Sequence, residues 1–158
     1  GKAPFDDFVL LHGIARRSSA VVERLSGSSL ISLLQIFGRY DLYDEEFMLL
    51  SLKQIESNMT LLSAGSLANA ISALGSLKAS DVSQLDCLSD TLRLKVRDLN
   101  EGDLVRCMRG LARLRHNNVE LLHALEPVIE KNKSSFSSVS LTNVVSVISA
   151  FGITDEFF

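Results

Sequence analysis

The chain has 158 residues, of which 46% are hydrophobic and 22% charged, a balance typical of an ordered domain with a sizeable core. Its net charge of −3 at pH 7 gives no overall positive field, so binding to nucleic acid would depend on local basic patches. No apolar run approaches the roughly 20 residues of a membrane-spanning helix, and we therefore predict no membrane span. We expect the two cysteines, Cys87 and Cys107, to be buried thiols in helices rather than a disulfide.

The first predicted element is a helix over residues 7–24 that begins at Asp7. Aspartate and asparagine are favoured N-caps because their side chains accept backbone N–H groups of the first helical turn. Such residues recur 37 positions apart at Asp7, Asp44, Asp81, Asn118 and Asp155, and each predicts the start of a helix that we name helix B. Helix B is expected to bury the columns Leu11, Met48, Leu85, Leu122 and Ile55, Leu92, Ile129.

A second kind of helix, helix A, is predicted between successive B helices. The pairs Leu25-Ser26, Leu62-Ser63, Leu99-Asn100 and Phe136-Ser137 each precede one of four leucines, Leu30, Leu67, Leu104 and Leu141, which are 37 residues apart. This pattern fits an N-cap with a hydrophobic staple, followed by a helix of about 12–15 residues. Small residues eight positions after these leucines predict a close crossing of neighbouring helices; they are Gly38, Gly75, Ala112 and Ser149.

These elements predict an all-α fold: a right-handed α-solenoid of two-helix repeats with a 37-residue period, because a single helical pair cannot bury its own apolar faces. Residues 1–158 would form one helical-repeat segment, with an orphan helix B at 7–24, repeats at 26–62, 63–99 and 100–136, and a partial repeat at 137–158. Solenoids normally carry polar capping repeats, so we expect a part of a longer chain, or ends that other proteins cover. Pro127 predicts a kink or a short first segment in the third helix B, since proline clashes with the carbonyl of His123.

Polar residues of helix A concentrate two, five and nine positions after the leucines, which places them within about 60° of one another on a helical wheel. They are Ser32, Asn69, Arg106 and Asn143, then Gln35, Ser72, Arg109 and Ser146, then Arg39, Ser76, Arg113 and Ala150. None is acidic; the carboxylates lie at helix N-termini or on helix B. We predict that this polar stripe lines the concave surface, where solenoids usually bind their partners.

Three arginines, Arg106, Arg109 and Arg113, follow one face of the third helix A. Arginine suits phosphate oxygens and base edges, and it can stack on exposed bases. The alternative interpretation is a solvated face, or arginines paired with carboxylates of a neighbouring repeat. The other basic set, Arg93, Lys95 and Arg97, spans several faces of helix B and is interpreted as solvated.

No catalytic, metal or cofactor site is expected. The three histidines, His12, His116 and His123, are too few and too widely spaced to ligate a metal, and neither cysteine has a histidine placed as its base. The glycines form no phosphate-binding loop. We therefore predict a protein that is not an enzyme.

Residues 66–77, SLANAISALGSL, and the similar stretch 103–114 resemble the heptatricopeptide repeats, and are similar to the octotricopeptide and FAST-kinase-like repeats. The resemblance covers nearly the whole chain. It implies an organellar, usually mitochondrial, RNA-binding protein of RNA metabolism or of the mitochondrial ribosome. Related proteins often end in a RAP domain, which this chain does not contain. In that family the residues that read the RNA lie on helix A. The resemblance assigns this role to Asn69, Arg106 and Asn143, and less clearly to Ser32.

Two functions are consistent with these patterns. The first is single-stranded or ribosomal RNA binding along helix A within a mitochondrial ribonucleoprotein, through Ser32, Gln35, Arg39, Asn69, Ser72, Arg106, Arg109, Arg113, Asn143 and Ser146. The second is a protein–protein scaffold in a large mitochondrial complex without RNA contact, which the acidic total charge and the uncapped ends favour.

Overall fold

The computed structural model describes residues 8–79 and 83–151, and within the first helix it leaves out the side chains of 8–12 and 15. The described residues form eight α-helices with three short 3₁₀ turns and contain no strand, which confirms the all-α prediction. The helices are α1 (Phe8–Ser19), α2 (Gly27–Arg39), α3 (Glu45–Ser57), α4 (Ala64–Leu77), α5 (Gln84–Arg93), α6 (Glu101–Leu114), α7 (Val119–Asn132) and α8 (Ser138–Ala150). The 3₁₀ turns follow α1, α3 and α5, at Val22–Arg24, Met59–Leu61 and Val96–Asp98.

The even-numbered helices correspond to helix A and begin at the predicted N-caps. In each, the side chain of the cap accepts the backbone N–H three residues later, at 2.9–3.2 Å; the caps are Ser26, Ser63, Asn100 and Ser137. These helices have 13 or 14 residues, within the predicted length. Replacing such a cap by alanine typically costs about 1 kcal/mol, so the caps contribute substantially to where each helix starts.

The odd-numbered helices correspond to helix B. Asp44 accepts the N–H of Phe47 at 2.8 Å and Asn118 accepts that of Leu121 at 2.9 Å, so these two predicted caps are confirmed. Asp7, Asp81 and Asp155, with the predicted helix start at 155, lie outside the described residues. The first helix is shorter than predicted, because α1 ends at Ser19 and the chain continues as a 3₁₀ turn.

Pro127 lies inside α7 without dividing it. The helix continues from Val119 to Asn132, so the predicted short first segment is wrong. Proline removes one backbone hydrogen bond, but its ring here is exposed. The opposite face of α7 is anchored by four buried apolar residues, Leu121, Leu122, Leu125 and Val128. Their burial holds the helix together across the proline.

The helices pack in two rows. Each even-numbered helix contacts the next one, α2 with α4, α4 with α6 and α6 with α8, and the odd-numbered helices do the same from α1 to α7. Buried residues of both rows form one hydrophobic core. Met48, Leu85, Leu122, Ile55 and Leu92 are buried as predicted, whereas Ile129 is only partly buried and the side chain of Leu11 is outside the described residues.

Small residues let the even-numbered helices approach closely. A Cβ atom on Gly75 would lie 2.8 Å from the carbonyl oxygen of Gly110, and one on Gly110 would lie 2.7 Å from that of Ile71. A Cβ atom on Gly38 would lie 2.7 Å from the Cβ of Ser76. The predicted close crossing is thus confirmed at Gly38 and Gly75, but α6 meets α4 through Gly110 rather than Ala112.

The two cysteines are free and differ in burial. Cys107 is fully buried in α6, and this burial raises the pKa of its thiol to about 12. Such a thiol is unreactive at neutral pH. Cys87 is exposed on α5, so the prediction that it is buried is wrong. None of the helices among the described residues has the length and apolar content needed to cross a membrane.

Candidate nucleic-acid interface

A groove of about 1050 Å³ runs across α2, α4 and α6, and we name it the basic groove. Seven of the ten candidate residues line it: Gln35, Arg39, Asn69, Ser72, Arg106, Arg109 and Arg113. The remaining lining residues are Gly38, Ala73, Gly75, Ser76 and Lys78. The groove lies along the close helix crossing, so the small residues that bring the helices together also form part of its wall.

The lining of the basic groove carries five cationic side chains and no carboxylate. The four arginines are exposed, whereas Gln35, Asn69 and Ser72 are partly buried between them. The chain as a whole is negative, so the charge of this surface is opposite in sign to the net charge of the chain. An anionic ligand would be attracted there.

Three candidate residues are not part of the basic groove, and each bonds to its own helix. The hydroxyl of Ser32 donates to the carbonyl of Ser28 at 3.0 Å, and that of Ser146 donates to the carbonyl of Thr142 at 2.7 Å. The amide of Asn143 donates to the carbonyl of Val139 at 2.9 Å. Asn143 also lines a separate, smaller depression on α8. The predicted stripe is therefore gathered on α2, α4 and α6 but not continued on α8.

Arg106 is held by a carboxylate of its own helix. Its Nη2 donates to Oδ1 of Asp103 at 2.6 Å, and the side chain of Asp103 is only 10% exposed. Asp103 lies in the first turn of α6, where the sequence predicts an acid that favours the helix dipole and not a partner of the stripe. The signal that could have found the pair is the spacing of three residues, at which side chains on a helix meet.

Arg113 is anchored to the preceding even-numbered helix. Its Nη1 donates to Oγ of Ser76 at 2.9 Å, and that hydroxyl donates in turn to the carbonyl of Ser72 at 3.1 Å. The guanidinium thus bridges α6 and α4 across the groove. A fixed arginine of this kind presents its remaining N–H groups in a set direction.

The side chains of Arg39, Lys78 and Arg109 form no hydrogen bond or ion pair with any residue that the structure describes. Their charges face the basic groove and are free for an anionic ligand. Lys78 is not among the predicted residues because it lies after the end of α4, where it adopts a left-handed conformation with φ of 56°. A left-handed residue often follows the end of an α-helix, which accounts for the position of Lys78. That position does not indicate a role in binding.

Of the second basic set, Lys95 links parts of the fold, whereas Arg93 and Arg97 are exposed. The Nζ of Lys95 donates to the carbonyls of Thr60 and Leu62 at 2.7 and 2.6 Å. These bonds link the 3₁₀ turn after α3 to the start of the 3₁₀ turn after α5. Nη1 of Arg93 lies 3.6 Å from Oε2 of Glu120. The interpretation of this set as solvated is therefore wrong for Lys95 and holds for the exposed Arg97.

Within residues 8–79 and 83–151, no group of three or more histidine, cysteine or acidic side chains is arranged to hold a metal ion. Nε2 of His116 lies 3.4 Å from Oδ1 of Asp86, between α5 and the start of α7. The side chain of His12 is outside the described residues. Comparison of the chain with protein-family models, with curated proteins and with solved structures finds no match.

Proposed function

We propose that the chain is part of a right-handed α-solenoid with a 37-residue period, and that its basic groove binds RNA. The positions of the four even-numbered helices and their row-wise packing support the solenoid. The observation that carries the function is the partition of charge. A chain with a net charge of −3 lines one groove with five cations and no carboxylate, and Arg106 is the one of these cations that forms an ion pair within the described residues, with Asp103.

The chemistry of the groove favours RNA whose bases are unpaired. Duplex RNA hides its base edges in a deep, narrow groove, whereas single strands and loops expose them. Between its cations, the basic groove offers the amides of Gln35 and Asn69 and the hydroxyl of Ser72, which can donate to and accept from base edges. The cations would meanwhile bind phosphate oxygens.

The resemblance to heptatricopeptide repeats supports a place in a mitochondrial ribonucleoprotein, such as the mitochondrial ribosome. That part of the proposal rests on the resemblance alone. A fluorescent fusion of the gene product should colocalise with a mitochondrial marker, and a cytosolic or nuclear distribution would contradict the assignment.

The test of RNA binding removes the two arginines of the basic groove, Arg39 and Arg109, whose side chains have no partner in the described part of the chain. We expect Arg39→Ala/Arg109→Ala to weaken binding of a labelled, unstructured oligoribonucleotide by roughly tenfold or more, measured by fluorescence anisotropy. The slope of log K against log salt should also become shallower, by about 0.7 for each phosphate that the variant no longer binds.

The matched control is Arg16→Ala/Arg97→Ala, which removes the same charge from two exposed positions of the odd-numbered row. This variant should bind as tightly as the wild-type protein. If both double variants bind equally well, or equally poorly, RNA does not occupy the basic groove.

A second candidate function, a protein scaffold, is favoured by the exposed apolar face of α8. Val139, Leu141 and Val145 are 72%, 43% and 39% exposed, whereas Leu104 and Met108, at the positions of Leu141 and Val145 one helix earlier in the row, are 1% exposed. An apolar helix face of this kind is typical of a protein contact. In a map of the intact assembly, carboxylates of another protein against Arg109 would favour the scaffold, and RNA there would exclude it.

A further inference from the structure

Two arginines of the basic groove, one helical turn apart on α6, differ in their electrostatic state. Arg106 is paired with the carboxylate of Asp103, with Nη2 and Oδ1 2.6 Å apart. Arg109 has no partner among the described residues and is exposed. The Arg106–Asp103 pair therefore has a net charge near zero, whereas Arg109 has a full positive charge.

The carboxylate of Asp103 is fixed where it lies. A Cβ atom on Gly65 would be 2.9 Å from Oδ2, so the carboxylate rests against the first turn of α4, which only glycine leaves open. The positive end of the α4 macrodipole favours an anion there. The backbone N–H of Asp103 is held by Oδ1 of Asn100 at 2.9 Å. A ligand that enters the groove would therefore meet the intact Asp103–Arg106 pair rather than a free arginine.

Resting on the proposed RNA binding, we infer that Arg106 recognises a base, with guanine preferred, while Arg109 binds the phosphate backbone. A phosphate near Arg106 would be repelled by the carboxylate of Asp103, which cancels most of the attraction. A neutral acceptor suffers no such repulsion. Guanine is the base that presents two adjacent acceptors, O6 and N7, to the parallel N–H groups of an arginine.

The direct experiment uses four labelled oligouridylates that differ only in a central G, A, C or U. We expect the wild-type protein to bind the G oligomer about 5- to 100-fold more tightly than the others, the range typical of a bidentate arginine–guanine contact. Replacing the central guanosine by 7-deazaguanosine, which lacks the N7 acceptor, should remove most of that preference. Arg106→Ala should abolish the preference, whereas Arg109→Ala should weaken all four oligomers alike and lower the salt slope by about 0.7.

Asp103→Asn distinguishes base recognition from simple positioning. Removing the carboxylate leaves Arg106 with an uncompensated charge, so all four oligomers should bind more tightly, with a salt slope about 0.7 steeper and a smaller preference for guanine. If Asp103 only positioned Arg106 for a phosphate, the same variant would bind every oligomer more weakly. Should the variant fail to fold, as judged by circular dichroism, the comparison of guanosine with 7-deazaguanosine in the wild-type protein and in Arg106→Ala decides.

The outcomes separate this inference from the proposed function. A wild-type protein that binds none of the oligomers contradicts RNA binding itself. One that binds all four equally, or whose guanine preference survives Arg106→Ala, contradicts only the role assigned to Arg106.

Discussion

Helices α6 and α8 begin with the same local signal and reach different environments. Each starts after a polar cap, Asn100 or Ser137, whose side chain accepts the backbone N–H three residues later. Yet Leu104 in α6 is 1% exposed, while Leu141, at the same position relative to the cap of α8, is 43% exposed. The cap determines where a helix begins, and the neighbouring helices determine what it buries.

The same contrast separates the two helices at the candidate site. Arg106, Arg109 and Arg113 of α6 lie beside side chains of α2 and α4 in the basic groove. Asn143 and Ser146 of α8 lie outside it and bond to carbonyls of their own helix. Forming the basic groove thus requires helices that approach closely, in addition to polar residues at the right positions.

The largest effect is expected from truncating a buried leucine of α6, which tests the difference in burial between α6 and α8. We expect Leu104→Ala to lower the free energy of unfolding by about 2–5 kcal/mol, because it leaves a cavity at a fully enclosed position. Leu141→Ala is the matched control and should cost about 1 kcal/mol or less, since much of that side chain is already in water. Urea denaturation measures both. Equal losses would show that α8 is covered in solution and would remove the contrast between the two helices.

A smaller effect is expected from the close crossing of α4 and α6. Gly110→Ala places a Cβ atom 2.7 Å from the carbonyl oxygen of Ile71, so the helices must separate, at a cost of about 1–3 kcal/mol. Gly13→Ala is the control, because no other element among the described residues has a heavy atom within 4 Å of the added Cβ. Gly13→Ala should be neutral or more stable than the wild-type protein by up to about 1 kcal/mol, as helix propensity dictates. Equal stability of Gly110→Ala and Gly13→Ala would contradict the close crossing of α4 and α6.

The elements that could be predicted from the sequence depend on nearby residues. The caps Ser26, Ser63 and Asn100 bond to backbone groups three residues away, so their roles follow from local sequence alone. Seven groove residues were found because positions that share a helix face follow from helical geometry. At Pro127 the predicted short first segment was wrong, because α7 is continuous across the proline and buries Leu125 and Val128 on either side of it.

The parts that could not be predicted depend on contacts between helices. Lys95 reaches carbonyls 33 and 35 residues earlier in the chain, and no local pattern indicates that reach. The ion pair of Asp103 with Arg106 has a local spacing, but its burial against Gly65 comes from the neighbouring helix.

The smallest expected effect concerns the polar link between α6 and α8. Glu101, at the first position of α6, accepts the backbone N–H of Ser137 at 3.1 Å. A hydrogen bond from the hydroxyl of Ser140, followed by that from the backbone of Ser137, lowers the pKa of this carboxyl from its ordinary value of 4.5. Because the folded-state pKa is the lower one, the stabilisation is fully present above pH 4.5 and is lost as the pH falls through the folded-state value.

Glu101→Gln should therefore be less stable than the wild-type protein at neutral pH, by a small amount since the carboxylate is in solvent. The difference in unfolding free energy should shrink as the pH falls below 4.5. Glu45→Gln, at the first position of α3, provides the control, because Glu45 bonds to no other helix among the described residues and shares only the macrodipole effect. If Glu101→Gln and Glu45→Gln lose the same unfolding free energy at every pH, α8 packs on α6 without this polar link. The contrast between the two helices would then depend on apolar contacts alone.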